Sequence, residues 1–63
     1  MNLKPHEIEI IKHLGAGLSQ KEIAAKWKVT PTNIDNILRR ARVRNNMRTT
    51  VQLVSEARLK LIA

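Results

Sequence analysis

Four side chains in one short stretch of the sequence have the chemistry to bind a nucleic acid. They are Asn33, Asn36, Arg39 and Arg40. An Arg guanidinium can donate two hydrogen bonds to guanine, an Asn amide can pair with adenine, and both groups can donate to phosphate oxygens. Their spacing places them on neighbouring turns if this stretch is a helix. The residue types therefore favour binding rather than catalysis.

The charge of the chain is concentrated around these donors. Residues 21–48 contain eight Lys or Arg against Glu22 and Asp35, which gives this segment +6 of the net charge of +7. Between residues 36 and 55 there is no acidic residue. Such a concentration indicates a polyanionic partner, a nucleic acid or an anionic membrane surface. The alternative is a solvated basic helix face.

Composition excludes several classes of function. With 63 residues the chain is too short for two domains, and it contains neither Cys nor Tyr. His6 and His13 are seven residues apart, which is about 10 Å along a helix and too far for one metal ion. We therefore expect no enzyme activity, no cofactor and no metal, and we interpret both His, and Trp27, as structural. The segment 1–14 mixes charged and apolar residues, so neither a signal peptide nor a membrane span is expected. We expect a cytoplasmic protein associated with the nucleoid.

Capping residues and apolar spacing predict one all-α domain over residues 1–63. Pro5 fits the first turn of a helix, Ser19 and Glu22 form a capping box, and Thr30 precedes Pro31 as an N-cap. Gly15-Ala16-Gly17 and Asn45-Asn46 are typical helix ends. The predicted helices cover residues 5–15, 20–27, 31–44 and 49–61.

The apolar residues of these helices predict which faces are buried. The first three inner stripes are Ile8, Ile11 and Leu14, with Ile10 on the flank; Ile23, Ala24 and Trp27; and Ile34, Ile37, Leu38 and Ala41. In the last helix the predicted inner face is Val51, Val54, Ala57 and Leu61. This leaves a second apolar surface, which we assign to a dimer interface formed by Leu53, Leu59 and Ile62.

The second and third helices, joined by a short corner, are typical of a helix-turn-helix. In that motif the second helix of the pair enters the major groove, and residues near its start reach the base edges. The helix 31–44 has the required apolar stripe and an opposite face of hydrogen-bond donors. Asp35 is unusual on such a face, because a carboxylate repels phosphate. It either accepts a hydrogen bond from cytosine or stabilises the helix N-terminus.

The sequence resembles the LuxR/GerE-type helix-turn-helix domain along almost its whole length without gaps. The most specific match is Gly17-Leu18-Ser19-Gln20-Lys21-Glu22-Ile23-Ala24, which corresponds to the family's Gly, two residues, then Lys-Glu-Ile-Ala. Further matches are Leu3, Glu7, Ile10 and Ile11 at the start, Val29-Thr30 at the corner, Ile34, Arg44, Met47, and Leu53, Val54 and Ala57 in the last helix.

This resemblance implies specific roles for residues of this chain. It implies phosphate contacts at Lys21, Asn33 and Arg44, to which the basic face of the helix 31–44 adds Arg40. It implies base-facing positions at Pro31, Thr32, Asp35, Asn36 and Arg39, and a dimer contact through the last helix.

These observations together predict a sequence-specific, double-stranded DNA-binding transcriptional regulator that acts as a homodimer. RNA polymerase or another regulator is a further expected protein partner. Lys4, Asn33, Ile37 and Asn45 depart from the family's pattern. Asn33, Ile37 and Asn45 motivate an alternative, a small interaction protein such as an antiactivator or co-regulator that pairs with another transcription factor and binds little DNA.

Overall fold

The computed structural model describes the backbone of residues 1–62 and the side chains of residues 1–60. Within these residues the regular secondary structure is all helical, without strands, which confirms the predicted all-α fold class. It forms four α-helices, α1 (Pro5–Gly15), α2 (Gln20–Trp27), α3 (Pro31–Arg44) and α4 (Thr50–Ala57), followed by a π-helical turn (Arg58–Ile62). The last predicted helix differs, because Thr49 is its cap rather than its first residue and its end is π-helical.

The predicted caps account for where the helices begin. The hydroxyl oxygen of Ser19 accepts a hydrogen bond from the N–H of Glu22 (3.1 Å), and the Glu22 carboxylate accepts one from the N–H of Ser19 (2.9 Å). The hydroxyl of Thr30 accepts from the N–H of Asn33 at 3.1 Å, and Thr49 caps α4 in the same way. Each bond satisfies an N–H that the helix itself leaves without a partner.

The first three helices end in the same backbone motif. Each is followed by a residue in the left-handed region, with φ of 100° at Gly17, 58° at Lys28 and 57° at Asn46. The next residue then donates its N–H to a carbonyl five residues earlier, from Leu18 to His13, from Val29 to Ala24 and from Met47 to Arg42. This pattern is the Schellman motif. It turns each of these three apolar residues onto the core, where they are partly buried.

The core lies where all four helices meet. Its fully buried members are Ile10, Ile11, Ile23, Ala24, Ile34, Leu38, Ala41, Leu53 and Ala57. The α2 helix packs most extensively on α3, and α1 contacts all three of the other helices. Leu14, Trp27 and Ile37 cover the edge of this core and are partly buried. Ile8 is only half-buried and Ile10 is fully buried, because α1 turns the pair Ile10 and Ile11 inward.

The predicted faces of α4 are wrong for Leu53 and Val51 but right for Ala57, which is fully buried. The predicted inner residue Leu61 lies outside the described side chains. Leu53, assigned to a dimer interface, is fully buried, and Val51, assigned to the core, is 76% exposed. The reason is that Leu53 and Ala57, four residues apart, form the stripe that packs on α1 and α3. Ala57 belongs to both possible stripes, so sequence spacing alone did not distinguish them. None of the helices within residues 1–62 combines the length and apolar character that a membrane-spanning segment requires.

Candidate nucleic-acid interface

The outer face of α3 is an exposed polar surface on a fixed scaffold. On the inner side Ile34, Leu38 and Ala41 are fully buried. On the outer side the predicted base-facing residues and their neighbours are all exposed, namely Pro31, Thr32, Asn33, Asp35, Asn36, Arg39 and Arg40. The helix extends these side chains over about 14 Å of its axis. Packing on one side therefore sets the direction of the donors on the other.

A shallow concavity lies along this outer face. Its walls are Asn36, Arg39, Arg40, Val43 and Arg44. The structure therefore brings together four of the donors that the sequence predicts, with Arg44 among them. It adds Val43, which is 70% exposed although apolar. The interpretation of the sequence gave Val43 no role, because a lone Val on a charged face has no distinguishing pattern.

The first turns of α2 and α3 supply a second kind of donor. Lys21 and Asn33 are exposed and lie in these first turns. The N–H groups at a helix start have no carbonyl partner in the helix, and the helix dipole makes this end positive. Ser19 and Thr30 already accept from the N–H groups of Glu22 and Asn33, and Pro31 has no N–H. The N–H groups of Lys21 and Thr32 remain to bind an anion such as phosphate.

Within residues 1–60, the side chains of Lys21, Arg39 and Arg40 form no ion pair. Among residues 1–60, ion pairs join Lys12 to Glu9, Arg44 to Glu7 and Lys60 to Glu56. Within the same residues, no carboxylate lies within 4.0 Å of the side-chain nitrogens of Lys21, Arg39 or Arg40. The positive potential of this surface is therefore not neutralised locally, which favours attraction of a polyanion.

Arg44 lines the concavity on the outer face of α3, but its guanidinium is bound within the protein. Its guanidinium donates to both carboxylate oxygens of Glu7, at 2.7 and 3.1 Å, and to the carbonyl of Asn2 at 3.3 Å. Burial raises the pKa of Glu7, but the hydrogen bonds from Arg44 and from the N–H of Lys4 outweigh it, so the pKa lies below its ordinary value. The hydrogen bonds that Arg44 donates to Glu7 also raise the pKa of Arg44. Arg44 thus joins α1 to the end of α3.

Asn45 has a structural role that sequence reasoning missed. Its side-chain amide donates to the carbonyls of Ala41 (2.8 Å) and Asn2 (2.9 Å), and its side-chain oxygen accepts from the N–H of Asn2 (2.7 Å). The residue therefore ties the first residues of the chain to the end of α3. No local pattern in the sequence reveals a contact across 43 residues.

Arg42 turns away from the outer face, as its position in the helix predicts. Its guanidinium donates to the carbonyl of Arg48 at 3.2 Å. This bond crosses the loop between α3 and α4. The side chain is only partly exposed, so Arg42 supports the loop and lies outside the polar outer surface.

Asp35 is the fifth residue of α3 and is exposed. The first turn of α3 contains no acidic residue. The interaction of a carboxylate with the helix dipole is confined to that turn. The geometry therefore disfavours the helix-dipole interpretation and leaves Asp35 on the outer flank near Thr32 and Arg39.

The exposed apolar surface of α4 differs from the predicted one. Leu59 is 74% exposed and Val51 76% exposed. Two shallow concavities adjoin them, one lined by Leu14, Thr50, Val51, Val54 and Ser55 and the other by Val54, Ser55, Arg58 and Leu59. The predicted interface residue Ile62 lies outside the described side chains. We call Leu14, Val51, Val54 and Leu59 the α4 patch.

The described part of the chain has no cluster suited to a metal ion, because no group of three or more His, Cys, Asp or Glu side chains is arranged to hold one there. Comparison of the chain with protein-family models, curated proteins and solved structures finds no match. A proposal for the function is therefore based on the exposed surface of α3 and on the residues of the helix-turn-helix motif.

Proposed function

We propose that this protein binds double-stranded DNA in a sequence-dependent manner and regulates transcription. The observation that carries the proposal is the outer face of α3, where exposed Asn36, Arg39 and Arg40 stand opposite a fully buried stripe. An α-helix with such a face fits the major groove, whose width of about 12 Å admits one helix. The resemblance to LuxR/GerE-type domains supports this proposal. We also propose that the protein is located in the cytoplasm, at the nucleoid.

In the proposed complex, one set of residues binds the DNA phosphates and another set recognises the bases. Lys21, Asn33 and Arg40 contact phosphates, assisted by the N–H groups at the starts of α2 and α3. Thr32, Asn36 and Arg39 face the bases, with Arg39 suited to guanine and Asn36 to adenine. We leave Arg44 out of the phosphate contacts, because Glu7 already binds its guanidinium.

A homodimer formed through the α4 patch is part of the proposal. The exposed Val51 and Leu59 support it, since large apolar side chains on a charged protein are suited to contact another surface. Two copies related by a two-fold axis would place two α3 helices on half-sites about one helical turn apart. The patch also supports the second candidate function, in which the chain pairs with another regulator and binds little DNA.

Binding to a random-sequence duplex of about 20 base pairs, followed by fluorescence anisotropy at several salt concentrations, tests the proposal. We expect the dissociation constant to rise steeply with salt, because the logarithm of the association constant falls with the logarithm of the salt concentration by about 0.9 for each phosphate neutralised. Arg40→Ala should reduce the slope. Lys12→Ala, which removes the same charge from the exposed face of α1, is the matched control and should leave affinity nearly unchanged.

Two results would contradict the proposal. The first is no binding at low salt, and the second is equal loss for Arg40→Ala and Lys12→Ala, since this would mean that net charge rather than α3 attracts the duplex. Absent DNA binding together with a tight heterodimer that Leu59→Asp abolishes would favour the second candidate function.

A further inference from the structure

The exposed surface of α3 carries a single carboxylate, that of Asp35. It is the only acidic residue between Pro31 and Arg44, and it lies among donors and cations. An acidic side chain here weakens attraction to any polyanion. Its presence therefore calls for a ligand group that a carboxylate can bind.

Asp35 has no cation bound to it within the protein. Arg39 follows four residues later, a spacing that allows an ion pair on a helix. Within residues 1–60, however, no Lys or Arg nitrogen lies within 4.0 Å of the Asp35 carboxylate, whereas three such pairs form elsewhere. Both side chains are exposed, so both are available to an external partner.

A duplex offers this carboxylate one well-matched group. A carboxylate accepts hydrogen bonds only, and the major-groove edges of guanine and thymine present acceptor atoms that would repel it. Adenine presents an amino donor beside an acceptor nitrogen. The major-groove edge of cytosine itself presents only an amino donor and a C–H group, with the acceptor O6 on the paired guanine, so cytosine is the base that best compensates for the lost hydration of the carboxylate.

We infer that Asp35 makes the proposed DNA site selective for cytosine at one position and lowers affinity for duplexes that lack it. This inference rests on the proposed DNA-binding function. Arg39 lies about 6 Å further along α3, which corresponds to about two base-pair steps. The site therefore combines a cytosine facing Asp35 with a guanine facing Arg39, about two base pairs apart or closer.

Selection of bound duplexes from a random pool, applied to the wild type and two variants, tests this inference. Asp35→Asn removes the carboxylate and keeps its size. Glu9→Gln removes one negative charge from exposed α1 and is the matched control. For the wild type we expect a cytosine preference of about ten-fold to a hundred-fold at one position. Asp35→Asn should lose that preference and bind random duplex more tightly, while Glu9→Gln should keep it.

The outcomes separate this inference from the function on which it rests. If the wild type and Asp35→Asn select the same bases, the role inferred for Asp35 is wrong, but the proposed DNA-binding function is not contradicted. If Asp35→Asn and Glu9→Gln tighten binding equally and neither changes base preference, the carboxylate acts only through net charge, which also overturns the inference. If the wild type selects no duplex, the proposed function fails as well.

Discussion

Arg44 and Glu7 form a two-point ion pair that joins the end of α3 to the first turn of α1. The carboxylate of Glu7 is 2% exposed, and the two hydrogen bonds measure 2.7 and 3.1 Å. A carboxylate this deeply buried is stable only with a partner, because burial alone disfavours its charged form. The pair is therefore a structural requirement of this small domain.

The first prediction concerns stability and its pH dependence. Glu7→Gln should lower the free energy of unfolding by about 2 kcal/mol, since it weakens a paired, buried charge. The folded pKa of Glu7 lies below its ordinary value of 4.5. The unfolded chain therefore binds more protons, so this stability is present above about pH 4.5 and is lost as the pH falls through the folded pKa.

Urea unfolding followed by circular dichroism between pH 3 and pH 7 measures both effects. Glu7→Gln should flatten the loss of stability in acid. Arg44→Met should reduce the contribution of Glu7 to stability, because it removes the hydrogen bonds from Arg44 that lower the pKa of Glu7 and leaves the effect of burial, which raises it. Glu22 is an exposed control whose pKa is lowered by hydrogen bonds from the N–H and hydroxyl of Ser19. An unchanged pH profile in Glu7→Gln would contradict the prediction.

The second prediction separates base reading from phosphate binding. Arg39→Ala should cost about 1–3 kcal/mol on the selected duplex and relax specificity at the position it reads. Lys21→Ala should weaken binding to all duplexes by a similar factor and reduce the salt slope by about 1. Anisotropy titrations on selected and random duplexes measure both. Equal losses for the two variants on both duplexes would show that Arg39 does not read a base.

The third prediction concerns the left-handed residues that end the helices. Lys28 carries a side chain at φ 58°, where only Gly is unstrained, so Lys28→Gly should raise the free energy of unfolding by about 0.5–1 kcal/mol. Gly17→Ala should lower it by about 1 kcal/mol. A methyl group at Gly17 meets no atom within 4 Å, so backbone strain alone is tested. Urea unfolding is the measurement, and shifts of the same sign in both variants would refute it.

The fourth prediction distinguishes core from surface on α4. Leu53→Ala should lower the free energy of unfolding by about 2–5 kcal/mol, because Leu53 is fully buried. Leu59→Asp should leave stability unchanged, since the side chain is 74% exposed, and should abolish self-association. Sedimentation equilibrium with and without DNA measures the latter. A dimer that survives Leu59→Asp would place the interface elsewhere.

Local signals in the sequence predicted most of this fold. The capping residues can be recognised within four residues of sequence, as Ser19 with Glu22 and as Thr30 with Pro31. The two helices that they begin, α2 and α3, have the predicted bounds. Gly17 and Asn46 were recognisable as helix ends because these residue types tolerate left-handed backbone. The end of α2 was predicted from where its apolar pattern stops, but the left-handed backbone of Lys28 was not, because Lys has no preference for that conformation.

Long-range contacts account for what the sequence left open. The outward direction of the α3 donors followed from one apolar stripe, and the structure gives each of them the exposure that was expected. Arg44 looked like another cation of that surface, because its partner Glu7 lies 37 residues away. The correct face of α4 depended on packing against α1 and α3, which periodicity over eight residues does not determine.

The bonds between Asn2 and Asn45 and between Glu7 and Arg44 also constrain the order of folding. They close loops of 43 and 37 residues, whereas α2 and α3 are neighbours in the chain. Closing long loops costs more entropy than forming local contacts. We therefore expect α2 and α3 to associate before the rate-limiting barrier and α1 to dock after it. Substitutions at Asn45 should then accelerate unfolding while leaving the refolding rate nearly constant, a difference that stopped-flow kinetics resolves.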